Sequence, residues 1–271
     1  MSPDTPAKPT VRGAVRSWWK DRATTYGPVR AAGMLAGELW GFVRDSTPER
    51  RRQCYGDVDY DWDHRVDTTG ATIHWRDRLL GVFHSPYQPT DAALFHEMLG
   101  SMEDIDDHRE LARREQTRTW NAAIDFGQFV FIDLGSGKGR TLLMASEYPF
   151  KRIIGVELLP ELHRVAQENL SRYSSDSQKC RELAAVCQDA RDFEFPQEPI
   201  LLYLFNPLPR TGLQHVLANL ERSVRDNPRE VYVLYHNPQL EEVLTKSGAW
   251  TKAGGTHQWV VYRNLALGPP S

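Results

Sequence analysis

Phe129-Val130-Phe131-Ile132-Asp133-Leu134-Gly135-Ser136-Gly137-Lys138-Gly139-Arg140 is the stretch around which the rest of the chain is arranged. An apolar, β-favouring run meets an acid and then three alternating glycines, and a helical pattern follows at once. The run reads as a buried parallel strand, because a strand covered on both faces carries no polar alternation. The glycines permit positive φ and let a ligand approach the backbone closely. A turn of this kind, at the carboxyl end of a central strand, lies where open α/β sheets bind ligands.

Spacing separates the glycine-rich loops that compete for this stretch. A dinucleotide fingerprint requires Gly or Ala at the sixth position counted from Gly135, and Arg140 stands there. A phosphate-cradling P-loop requires Gly at the position of Ile132 and Ser or Thr at that of Gly139. Neither fits.

Downstream, strands and helices alternate. Thr141 to Tyr148 reads as a short helix stopped by Pro149, and Arg152 to Glu157 as a second buried strand. A helix opens at Pro160, where proline suits the first turn. Further strands are expected near Ala184–Gln188, at Ile200–Phe205 and at Val231–Tyr235. Helices are expected over Thr211–Val224 and from Pro238 to Ser247. Lys252 to Arg263 reads as a hairpin turning near Gly254-Gly255. Such alternation implies a parallel sheet with right-handed crossovers.

Acids close the early strands. Glu157 follows Gly139 by eighteen residues, the place from which a carboxylate can accept from vicinal ribose hydroxyls. Asp189 ends the third strand, with Asp192 as a more distant competitor. Asn206-Pro207-Leu208-Pro209 ends the fourth, where proline removes a donor and holds the turn extended. Tyr235-His236-Asn237-Pro238 ends the fifth, and His236 has the chemistry of a general base for an oxygen nucleophile.

The acid-x-Gly-x-Gly-x-Gly form, with acids at the next two strand ends, resembles the first motifs of bacterial class I S-adenosylmethionine-dependent methyltransferases over residues 85–263. Phe131 to Gly139 with Gly155-Val156-Glu157 also resembles the non-SET histone-lysine methyltransferases. The resemblance implies an α/β, Rossmann-like fold: a mostly parallel seven-stranded sheet with a C-terminal antiparallel hairpin, plus an N-terminal helical extension. It implies S-adenosyl-L-methionine as cofactor, held by Gly135, Ser136, Gly137 and Gly139, with Asp133 orienting the loop and the amino-acid moiety. Asp189 is then expected to accept from the adenine amine. In this family a helix before the first strand lines the pocket with an aromatic at its entrance, here Tyr87. Asn206 resembles the residue of amino-methylating members that holds an amine beside the cofactor. Leu208 and Pro209 depart from that signature, and the missing aromatic disfavours a planar base as acceptor. The reading is methyl transfer to an amine of a protein side chain or small molecule. O-methylation through His236, and a non-catalytic cofactor-binding partner, are the alternatives.

The remaining features bound this reading. The chain has 271 residues, a net charge of −3 and three scattered cysteines, Cys54, Cys180 and Cys187. That charge gives no general attraction to nucleic acid or anionic membranes. The cysteines suit a reduced cytoplasmic setting and lack zinc-site spacing, so no metal is expected. Residues 1–10 read as a tail, 11–84 as the extension and 264–271 as a second tail; the oligomeric state is left open. Thr90 or Asp91 can cap a helix whose stripe is Leu94, Phe95, Met98 and Leu99. The acids Asp57, Asp59, Asp61 and Asp63 are not a calcium loop, since Trp62 and Thr68 occupy its Gly and Glu positions. They read as a solvated loop, or as a negative rim for a cationic substrate. In the basic extension, Trp18, Trp19, Tyr26, Trp40 and Phe42 imply burial against something, and a cover over the acceptor pocket is expected.

Overall fold

The computed structural model describes residues 11–45, 58–69, 88–102 and 124–265. Tyr87, Cys54 and both tails' outer residues lie outside the described residues. Seven strands, β1 Val130–Leu134, β2 Arg152–Glu157, β3 Leu183–Cys187, β4 Ile200–Leu204, β5 Val231–His236, β6 Trp250–Gly255 and β7 Trp259–Asn264, form one sheet. Their order is β3-β2-β1-β4-β5-β7-β6. The first five pair in parallel, and β7 runs antiparallel to both β5 and β6. This is the Rossmann-like α/β sheet with a terminal hairpin that the sequence pattern leads one to expect.

Eight helices are described: α1 Val11–Tyr26, α2 Pro28–Asp45, α3 Val58–His64, α4 Ala92–Gly100, α5 Arg140–Ala145, α6 Pro160–Arg172, α7 Arg210–Asp226 and α8 Glu241–Ser247. Every residue of β1 and β4 is buried because helices cover both faces. Strand alternation sends Phe131 and Tyr203 to one face, against Phe95, Met98 and Leu99 of α4. Ile132, Leu134, Leu202 and Leu204 go to the other, against Leu213, Val216 and Leu217 of α7. Asp91 caps α4 through a 2.9 Å bond from the Leu94 amide, and Pro160 opens α6.

Three local expectations change. The last helix begins at Glu241, because Asn237 adopts φ +48 and a turn at Gln239-Leu240 intervenes after Pro238. The hairpin reverses at Thr256–Gln258, not at the glycines. Gly255 ends β6 at φ +129, where a side chain would run into the Trp259 and Val260 backbone. That glycine serves close strand approach, not the turn itself. The acidic run is neither a loop nor a rim at Asp61, which is buried within α3.

Residues 11–45 of the extension form a helical hairpin broken at Gly27, φ +83, and Pro28. It docks through Ala14 and Trp18 onto Leu159 and Leu162 at the start of α6. The expectation of burial holds for Trp18, at 3% exposure, and fails for Trp40, at 69%. Among the described residues no helix is long and apolar enough to cross a membrane.

Candidate functional site

The strand order reverses between β1 and β4, and at such a switch point the loops diverge and leave a crevice. The glycine loop lies on one side of it and Asn206-Pro207 on the other. Gly135, Gly137 and Gly139 have φ of +83, +56 and +82, so all three need the freedom that glycine has. A Cβ at Gly135 would meet the Pro207 Cβ at 2.8 Å. A Cβ at Gly139 would instead meet Ala166 of α6 at 3.2 Å. Gly139 therefore faces helix packing, and it does not line the cavity that Gly135, Ser136 and Gly137 line.

The amides of Gly135 and Ser136 donate to the Val156 carbonyl at 2.8 and 3.2 Å, and that of Gly137 donates to Glu157 Oε2 at 2.8 Å. With these donors turned onto β2 and its terminal acid, this part of the loop offers close backbone approach instead of a phosphate nest. Glu157 Oε1 accepts from the Leu159 amide at 2.7 Å, so one buried carboxylate clamps the loop and the entry to α6. Burial raises its pKa despite these bonds. Burial also pushes Asp133 up to about 7, against the opposing bond from Thr141, with the Glu157 charge adding to the rise.

A cavity of about 520 Å³ gathers these groups. It is lined by Asp133, Gly135, Ser136, Gly137, Glu157, Asp189 and Asn206, so seven expected site residues meet at one place. Asp192 does not line it. Asp189 starts a 3₁₀ turn by accepting from the Arg191 amide, and also pairs with the Arg191 guanidinium. Trp18, Arg22 and Tyr26 of α1 and Glu38 of α2 form part of the wall.

Asn206 sits at φ +47, in the left-handed region that asparagine enters more readily than other residues with a side chain. Its Nδ2 donates to the Asn237 carbonyl at 2.7 Å, and its Oδ1 accepts from the Tyr235 hydroxyl at 2.8 Å and the Gln239 amide at 3.4 Å. The side chain closes the two Asn-Pro turns against each other.

His236 is not brought to the cavity. Tyr203 and Phe205 line the wall there, and His236 stacks on Phe205 with ring centroids 4.0 Å apart. Its Nδ1 lies 2.9 Å from the Tyr203 hydroxyl, which also meets Thr90. Burial pushes the imidazole down to about 4, so the ring is neutral at pH 7 and a weak base. The sequence reading also missed Lys138 and Arg140, both 2% exposed. The signal was their position inside the glycine loop, where solvated cations would be unremarkable. No group of three potential metal ligands occurs among the described residues.

No protein-family model matches the chain, and no curated protein matches it in sequence. Among solved structures it is similar to an RNA methyltransferase from Salinibacter ruber in complex with S-adenosyl-L-homocysteine. Identity is 18%, coverage 68% of this chain and 96% of that one, and the TM-score 0.38. A glycopeptide N-methyltransferase complexed with S-adenosyl-L-methionine gives 11% identity, 60% and 92% coverage, and a TM-score of 0.39. A ribosomal protein L11 methylase from Lactobacillus delbrueckii subsp. bulgaricus gives 14%, 49% and 68%, and 0.35.

Proposed function

We propose that this protein is an S-adenosylmethionine-dependent methyltransferase acting on an amine of a protein side chain or small molecule. One observation carries the reading. The glycine loop, Glu157 and Asp189 close three adjacent parallel strands and line one cavity beside the switch point. The donor set suits the cofactor: a loop that admits close approach, a buried carboxylate with lone pairs left for two ribose hydroxyls, and an acid at the neighbouring strand end. When bound, S-adenosylmethionine supplies an electrophilic methyl group on a sulfonium.

The chain's own part is binding and orientation. Asp133 accepts the cofactor's ammonium, and Glu157 the ribose. Asn206 Oδ1 holds the acceptor amine: the long bond from Gln239, at 3.4 Å, is the one an amine N–H replaces. Fixing the nitrogen lone pair toward the reacting carbon is catalysis by position, which needs no strong base once the amine is neutral. The hairpin of α1 and α2 walls the same cavity through Trp18, Arg22, Tyr26 and Glu38, and its assigned part is to cover the acceptor, excluding water and shaping acceptor choice.

Calorimetry on the full chain tests the cofactor. S-adenosylhomocysteine should bind with a dissociation constant of roughly micromolar order. Glu157→Ala should weaken it by about 1.5–3 kcal/mol, since charge-assisted bonds are lost and the Gly137 and Leu159 amides are left without their acceptor. Binding of NAD with no binding of S-adenosylhomocysteine would refute the assignment. For the cover, deleting residues 1–52 should preserve cofactor affinity within about threefold, about 0.7 kcal/mol. It should abolish tritiated methyl transfer into size-fractionated extract. Retained transfer would make the hairpin a stability element instead.

A further inference from the structure

We propose that residues 58–69 form a strap that sets the geometry of the glycine loop, with Asp61 and Asp67 as positioning residues for the site. The affinity part of this inference rests on the cofactor reading above; the geometric part does not. Lys138 stands between two positive-φ glycines, and its ammonium donates to Asp67 Oδ1 at 2.6 Å and to the Thr69 carbonyl at 2.8 Å. Arg140, the next charged residue, donates through Nη1 to Thr68 Oγ1 at 3.0 Å and lies 3.7 Å from Asp61 Oδ1. Its guanidinium carbon lies 4.3 Å from the centroid of the Tyr60 ring. Both cations of the loop are thus buried against the same short segment.

Asp61 organises that segment. Its carboxylate accepts from the Thr68 and Thr69 amides at 2.8 and 2.7 Å and from both threonine hydroxyls. Asn169 of α6 closes the circuit. Its Nδ2 donates to the carbonyls of Asp67 and Lys138 at 2.8 and 2.9 Å, and its Oδ1 accepts from the Asp67 amide. A cation buried without its partners is strongly destabilising. The loop can therefore hold Lys138 and Arg140 inside only while the strap is docked, and docking and loop conformation are one cooperative unit. A loop with three glycines has much freedom to lose on ordering. A strap that removes this freedom beforehand raises affinity for whatever the loop binds.

The test uses the full chain with Asp61→Asn, Asp67→Asn and the charge swap Asp67→Lys with Lys138→Asp. Hydrogen exchange is read at residues 135–140 and, as an internal control, in β4. Calorimetry with S-adenosylhomocysteine is read beside it. Each single variant should speed loop exchange and weaken binding by about tenfold, about 1.4 kcal/mol, with β4 protection unchanged. The swap should restore both in part, which a general loss of stability would not do. The Asp67 side chain is 57% exposed, so its Asn variant keeps the fold even if Asp61→Asn does not. Unchanged loop exchange in the folded Asp67→Asn protein overturns the strap. Absent ligand binding by the wild-type chain refutes the cofactor reading instead, and the exchange data still decide this one.

Discussion

Strand β4 and helix α2 both carry large apolar side chains, and these side chains behave in opposite ways. Ile200-Leu201-Leu202-Tyr203-Leu204 is buried at every position. In the eighteen residues of α2, Ala31 is the one buried side chain among those described, while Val29, Trp40 and Val43 are 86%, 69% and 61% exposed. Apolar content becomes burial only where neighbours cover it. A central parallel strand is flanked by two strands and roofed by helices on both faces, so its environment is set by topology. A helix of an appended hairpin meets the body along one narrow line, here Leu35 beside Trp18, Leu159 and Leu162. The sheet is accordingly the cooperative unit, and the hairpin is held on by local contact.

The largest expected effect breaks the sheet. Leu202→Ala removes a fully buried side chain between Leu213 and Val216 of α7 and the flanking strands. It should cost about 3–5 kcal/mol, the upper range for cavities that cannot collapse. In urea unfolding this is a lower midpoint at unchanged slope. A cost below about 1 kcal/mol, far under that range, would mean that β4 is not the rigid centre drawn here.

The same contrast explains what the sequence made legible. Strands β1, β2, β4 and β5 announce themselves because apolar runs bounded by Gly, Pro and acids have few other fates in an alternating chain. Glu157, Asp189 and Asn206 follow as strand-end residues once the strands are known, while the roles expected for them and for Asp133 come from the resemblance. The strap was not legible. Asp67 and Asp61 act on Lys138 and Arg140, 71 and 79 residues away, and alternating acids carry no sign of which cations they will meet. Trp40 misled for the opposite reason: a large aromatic reports a tendency to be covered, not the presence of a cover. Gly254-Gly255 read as a turn because glycine marks turns and close backbone approach alike. Nothing local separates the two.

A middle-sized effect sharpens the comparison through pH. Asp133 lies in the sheet's interior, where burial holds its carboxyl up to about 7. In the folded protein without ligand it keeps a proton that the unfolded chain loses near pH 4. The stability this group contributes is therefore complete below about pH 4 and is lost as pH rises through 7. An ammonium partner must displace that proton. Affinity for S-adenosylhomocysteine should rise by up to about tenfold per pH unit from 5.5 to 7 and then level, one proton being released on binding. Asp133→Asn should flatten both profiles, in calorimetry and in thermal melts. A wild-type affinity independent of pH across this window would remove Asp133 from ammonium recognition.

The smallest effect concerns two tryptophans of one hairpin. Trp18 is 3% exposed against Leu159 and Leu162, and it lines the cavity. Its truncation to Ala should release the hairpin without unfolding the sheet. Protease cleavage within residues 11–45 should accelerate while the main urea transition moves by less than about 1 kcal/mol, since docking and core stability are separate. Trp40 is 69% exposed. Trp40→Ser should shift the same transition by no more than about 0.5 kcal/mol, as for surface positions generally, and leave cleavage unchanged. The pair isolates what burial contributes at fixed residue type and nearly fixed place in the chain. If Trp40→Ser destabilised as much as Trp18→Ala, the α2 face would be covered in solution. The contrast between sheet and hairpin would then end at Gly27, because the hairpin too would have a roof.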